Sequence, residues 1–86
     1  MKWSLFIPRS VVKHVAKLNK AESKGLFKSL KEIEDDPFIG DFKKLKGVVP
    51  VTYRKRVGKY RILYQFDTDN EIIIIVKVEK RSDTTY

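Results

Sequence analysis

Apolar positions along this chain change their period from element to element. Lys2 to Ile7 (KWSLFI) is a short aromatic and apolar run that predicts a strand, and Pro8 after it fits the start of a helix. From Arg9 to Asn19, Val11, Val12, Val15 and Leu18 recur at helical spacing, with Ser10 as a nearby cap and Lys13, His14 and Lys17 mostly on the other side. A second helix opens at Asn19, which forms a capping-box pattern with Glu22. Leu26, Phe27, Leu30 and Ile33 make its apolar stripe, and Gly25 weakens it by about 1 kcal/mol relative to Ala. Pro37 stops it, because proline disfavours helical geometry in the residue before it. Phe38 to Pro50 reads as a loop.

Beyond Pro50 the period falls to two. Val51, Tyr53 and Val57 alternate with Thr52, Arg54 and Arg56; Tyr60, Ile62, Tyr64 and Phe66 alternate with Arg61, Leu63 and Gln65. Gly58-Lys59 between the runs suits a two-residue type II′ hairpin turn. That turn sets Val57 opposite Tyr60, Arg56 opposite Arg61, Arg54 opposite Leu63 and Thr52 opposite Gln65. Opposed residues share a face. One face therefore carries the arginines, and the other the valines, tyrosines and Ile62, with Lys55 as its exception. The last strand, Glu71 to Lys80 (EIIIIVKVEK), has five consecutive apolar residues and predicts burial on both faces. Its period does not fix its register, and a connecting loop longer or shorter by one residue flips every side chain. A three-residue loop, Thr68-Asp69-Asn70 with Asn70 left-handed, is expected, because it buries Ile72, Ile74, Val76 and Val78 and hides no charge. It sets Arg61 opposite Lys77 and brings Lys77 and Arg81 to the arginine face. The order β-α-α-β-β-β predicts an α+β fold, with two N-terminal helices on one face of a mainly antiparallel four-stranded sheet and the other face open and basic.

With 86 residues, 42% hydrophobic and 35% charged, residues 1–86 are expected to form one small globular domain. Cysteine is absent, which excludes disulfides, thiolate metal sites and a cysteine nucleophile. The single histidine, His14, excludes a histidine-rich metal cluster and reads as a solvated helix residue. The apolar run before Pro8 is too short for a signal peptide and no window approaches a membrane span, so a cytoplasmic location with no membrane partner is expected. The net charge of +8 favours polyanionic partners. It is concentrated: Lys43 to Arg61 holds Lys43, Lys44, Lys46, Arg54, Lys55, Arg56, Lys59 and Arg61 and no acid, while the rest of the chain is balanced. Arg56 facing Arg61 destabilises a hairpin. A structural role does not explain that cost, whereas shared binding of an anion does.

Most catalytic devices are missing. Gly47 and Gly58 are isolated, so no glycine-rich loop cradles a phosphate, and no serine motif comes with a base. Glu32, Glu34, Asp35 and Asp36 read as a solvated helix end rather than a metal site. No metal or cofactor is implied. The arginine face with Tyr86 remains. It can grip phosphates, offset the charge of a pentacovalent phosphate and supply a proton donor. RNA brings its own nucleophile in the 2′-hydroxyl, so orientation and charge stabilisation suffice for its cleavage.

The strand, two helices, Lys44 to Gly47 (KLKG), Tyr53 to Tyr64 (YRKRVGKYRILY), the long apolar strand and the closing Lys80-Arg81 with Tyr86 resemble the RelE/ParE superfamily of bacterial and archaeal toxins, from Trp3 to Tyr86. The RelE branch implies a metal-independent, ribosome-dependent mRNA endoribonuclease acting beside 16S rRNA at the A site, neutralised by an acidic antitoxin that wraps it. The ParE branch implies the same fold poisoning DNA gyrase. Carried over by position, Arg54 and Arg56 match two basic strand positions often lysine in RelE, Arg61 the arginine of the YR pair, Arg81 the arginine after the last strand, and Tyr86 the tyrosine near the chain end. The resemblance implies that these residues orient the 2′-hydroxyl, stabilise the phosphate, protonate the leaving oxygen and stack on a base. Lys43, Lys44, Lys46, Lys59, Lys77 and Lys80 are then contacts to RNA and ribosome. Arginine releases its proton poorly, so Arg54 and Arg56 fit charge stabilisation better than base catalysis, and Lys80 stands where many relatives have histidine. The expectation is a RelE-type toxin, monomeric without its antitoxin. The alternative is a ParE-like gyrase poison or a degenerate toxin that only binds nucleic acid.

Overall fold

The computed structural model describes residues 3–38 and 40–80. Its elements are β1 (Ser4–Phe6), α1 (Arg9–Ala16), α2 (Lys20–Asp35), β2 (Phe42–Lys44), β3 (Tyr53–Val57), β4 (Tyr60–Asp67) and β5 (Ile72–Lys80).

Pro8 itself takes the cap position of α1, and its carbonyl accepts hydrogen bonds from the Val11 and Val12 amides. Ser10 lies inside the first turn and caps nothing, contrary to the expectation. The helix closes at Ala16, before the predicted Asn19, because Leu18 N donates to Val15 O in a tightened last turn. That frees Asn19 to cap α2, where its Oδ1 accepts from Glu22 N at 2.9 Å as predicted. Leu26, Leu30 and Ile33 are buried with Val11 and Val15, but Phe27 and Val12 are exposed. Each predicted stripe is one residue too wide, since a residue adjacent to a buried helix position points about 100° away from it.

The sheet runs β1-β5-β4-β3-β2, with β1 parallel to β5 and the other pairs antiparallel. It has five strands, not the expected four. Part of the predicted loop pairs as β2, with Phe42 opposite Lys55, Lys43 opposite Arg54 and Lys44 opposite Tyr53. The β3–β4 hairpin has the register the turn dictates, including Arg56 opposite Arg61. Gly58 supplies the required left-handed residue at φ +56°.

The β4–β5 connection departs from expectation. Asn70 is not left-handed: its backbone and side-chain amides donate to the Asp67 carboxylate, and Glu71 takes the positive φ of 55°. The loop is one residue longer, so Asp67 opposes Ile72. The lower half of β5 is thereby flipped, and Ile73 and Ile75 enter the core in place of Ile72 and Ile74. A β-bulge then intervenes: Tyr64 opposes Ile75 while Leu63 opposes Lys77, leaving Val76 as the extra, exposed residue. The bulge restores the phase, so Val78 is buried and Lys77 lies on the arginine side.

Both helices pack on one side of the sheet, over Tyr60, Ile62, Tyr64, Ile73, Ile75 and Val78. Two polar contacts tie the layers together. Tyr64 Oη donates to Pro37 O at 2.9 Å, and the buried Lys55 ammonium meets Glu32 of α2 at 3.4 Å.

Candidate nucleic-acid interface

The side of the sheet away from the helices takes its composition from strand parity. One row across the strands is Lys43, Arg54, Leu63 and Lys77; the next is Arg56, Arg61 and Glu79. Beyond Arg54, Gln65 Nε2 donates to Thr52 Oγ1 at 3.1 Å, and Phe6 of β1 lies beside Ile74. The face is therefore basic towards the hairpin turn and apolar towards β1.

The three arginines are not equivalent. The Arg54 side chain is only 12% exposed, contacts the Asp41 carboxylate at 3.5 Å, and leaves Nη1 without a hydrogen bond among the described residues. Asp41 also accepts, through its carbonyl, from the Arg56 amide at 3.1 Å. Arg54 thus fastens the loop before β2 to the sheet and offers little of its side chain to solvent. Arg56 and Arg61 are exposed. Arg56 has no acidic partner among the described residues, whereas Arg61 Nε donates to Glu79 Oε2. Lys77 Nζ joins the same carboxylate at 3.2 Å. Burial raises the Glu79 pKa, but the bonds from Arg61 and Lys77 outweigh it and hold the carboxyl below its ordinary value.

The expected contact lysines divide. Lys43 and Lys77 share the arginine side, Lys46 and Lys59 sit in connections, and Lys44 and Lys80 follow Tyr53 and Tyr60 to the helix-covered side. Arg61 opposes Glu79, not Lys77 as the expected register had it. Arg81 and Tyr86 lie outside the described residues. Glu79 was missed, although Lys77 and Glu79 share a face in any register of a period-two strand; parity alone would have put an acid beside Lys77. Asp41 carries no such signal, because the three-residue strand after it is too short to show a period. Among the described residues no cluster of acids and histidine could hold a metal ion. No helix there is long and apolar enough to cross a membrane.

Two helices on one side of a mixed five-stranded sheet, with arginines on the other, make the architecture of RelE-type toxins. The chain is similar to RelE in the archaeal RelE–RelB complex of Pyrococcus horikoshii, with TM-score 0.81 and 28% identity over 98% of this chain and 100% of that one. It is also similar to the isolated Escherichia coli RelE toxin, with TM-score 0.77 and 25% identity over 95% and 87% of the two chains. A Methanocaldococcus jannaschii protein named RelE1, a candidate toxin, is 38% identical over 94% of this chain and 92% of its own length. The model of the ParE toxin of type II toxin–antitoxin systems matches residues 7–85. The chain belongs to that family, and it is a RelE-like toxin of the type II toxin–antitoxin class.

Proposed function

We propose that the protein is a ribosome-dependent mRNA endoribonuclease, a single toxin domain over residues 1–86 that cuts A-site mRNA in the cytoplasm. The observation that carries this reading is the directly opposed, exposed pair Arg56 and Arg61 on the side of the sheet free of helices. Their repulsion is relieved for Arg61 by Glu79, while Arg56 keeps its charge for a partner. In the reaction the 2′-oxygen bonds to phosphorus and the bond to the 5′-oxygen breaks. The 2′-hydroxyl proton leaves to solvent or a base, and the departing oxygen takes up a proton. Arg56 and Arg61 hold the charge that builds on the non-bridging oxygens. Arg54, fastened to Asp41, supports that pair from within the sheet. By family position, Arg81 adds a further phosphate contact and Tyr86 stacks on a base or passes the proton. The P. horikoshii RelE was solved with RelB. An acidic antitoxin segment covering the arginine side is the corresponding partner here.

The test is primer extension on translated mRNA after induction of wild-type, Arg56→Ala and Arg61→Ala proteins, chosen because both side chains are exposed and their loss leaves the core intact. Wild type cuts within codons, and each variant cleaves on the order of 100-fold more slowly at an unchanged melting temperature. Intact mRNA with broken DNA overturns the reading in favour of a gyrase poison, the alternative that the ParE family match favours. Salt-sensitive binding to isolated RNA with no cleavage on ribosomes leaves a binding protein.

A further inference from the structure

Among the described residues, Glu79 is the carboxylate that two cations of the arginine side share. Glu79 stands opposite Arg61, accepts from its Nε through Oε2, and meets Lys77 Nζ through Oε1 at 3.2 Å. Of the three side chains it is the most covered, 22% exposed against 45% for Arg61 and 59% for Lys77. The two cations thus offer more of their surface to an anion arriving from solvent than the carboxylate does. Arg61 is held by Nε alone, and its two Nη groups have no partner among the described residues. The edge of the guanidinium that matches a phosphate is therefore left open. On the other side of Arg61 stands Arg56, whose charge would push an unclamped Arg61 away.

We propose that Glu79 is a positioning residue, which clamps Arg61 and Lys77 as one prepared pair for an RNA phosphate and cancels one positive charge of the face. The inference rests on the reading of this face as the RNA-cleaving one. It separates two quantities that usually move together. Removing the carboxylate adds net positive charge, which tightens loose binding of RNA. It also frees Arg61 to swing out of place, which slows the chemistry.

Glu79→Gln and Glu79→Ala are compared with the wild-type full chain, after matched melting temperatures show that all three are folded. Binding of a single-stranded RNA oligonucleotide without ribosomes should tighten roughly 5-fold at 0.1 M salt, the change expected for one further phosphate neutralised. Cleavage of ribosome-bound mRNA should fall about 10- to 100-fold in Glu79→Ala, as expected for a misplaced catalytic group, and less in Glu79→Gln, which keeps an acceptor. In 15N spectra the Arg61 Nε–H signal of the wild type should exchange slowly and shift on addition of inorganic phosphate, and Glu79→Ala should lose both properties. Tightened binding with unchanged or faster cleavage overturns the proposal and makes Glu79 a charge brake only. Should the wild type leave mRNA intact, the nuclease reading fails, and the nitrogen signal decides the clamp. A phosphate shift confined to the wild type upholds it, and equal shifts in wild type and Glu79→Ala overturn it.

Discussion

Tyr64 shows how one buried residue sets a property of the whole protein. Its ring is fully buried and stacked on Tyr53 with centroids 6.1 Å apart, and its hydroxyl donates to Pro37 O. Burial first, and Tyr53 second, push its pKa from 10.0 up to about 12. An unfolded chain ionises this tyrosine near its ordinary value, whereas the folded one holds the proton higher. Between those values the unfolded state binds fewer protons, so stability falls as pH rises. The contribution is fully present below about pH 10 and is lost by about pH 12, on the order of 3 kcal/mol. Tyr60, raised by burial and by its bond to Glu22, acts in the same direction. Urea midpoints measured from neutral to alkaline pH should therefore decline for wild type and decline less for Tyr64→Phe. That variant starts lower by about 1 kcal/mol for the lost hydrogen bond. Equal alkaline slopes in the two proteins would show that Tyr64 is not the group responsible.

At the scale of the element, β5 divides what a pattern encodes from what it leaves open. Ile73 and Ile75 are in the core, while Ile72 and Ile74 are only partly covered on the arginine side. Ile73→Ala and Ile75→Ala should each cost about 3 kcal/mol, and Ile72→Ala and Ile74→Ala about 1 kcal/mol or less. Chemical denaturation reads this directly, and the register with Ile72 and Ile74 inside requires the opposite ranking. The β3–β4 hairpin was legible because Gly58-Lys59 is a specific turn and the residues around it alternate cleanly, so one pair fixed all the others. In β5 the isoleucines are interchangeable: either register buries a branched side chain at the same depth, and periodicity gives no preference. The decision lay in the loop, where Asn70 bonds to Asp67 and Glu71 takes the left-handed position, an unusual one for a residue other than Gly, Asn, Asp or His. The Val76 bulge then changed the phase midway, so the inward residues of the strand follow no single parity. β2 was hidden for another reason. Three residues, Phe42-Lys43-Lys44, are too few to show a period, and they pair only because β3 offers them an edge. The same blind spots governed the site. Arg56 and Arg61 were placed by the hairpin, while Asp41 belongs to a segment whose pairing the pattern left undetermined; Glu79 was legible by its parity with Lys77, and only its partner across the strands depended on the register.

At the scale of the whole molecule, the +8 charge matters less than where the sheet directs it. Lys43, Arg56, Arg61 and Lys77 share the side without helices, and Glu32, Glu34, Asp35 and Asp36 gather at the end of α2 on the other. Strand parity thus turns a basic chain into a two-sided one, and a polyanion drawn by the long-range field should settle on one side only. Counting released counterions separates that picture from attraction by net charge. Each phosphate contact to a single strand contributes about 0.7 to the slope of log affinity against log salt. Arg56→Ala and Lys43→Ala should each lower that slope for a single-stranded RNA by about 0.7. Lys44→Ala, Lys80→Ala and the control Lys24→Ala remove the same charge from the helix-covered side or from α2 itself, and should leave the slope unchanged. Titrations by fluorescence anisotropy over a salt series give all five slopes. If the five variants fall together, RNA samples the surface without choosing a face, and the orientation imposed by the sheet has no part in its capture. If Lys44 and Lys80 fall with Arg56, the strand carries its polyanion around the sheet edge, and the interface is wider than the arginine side.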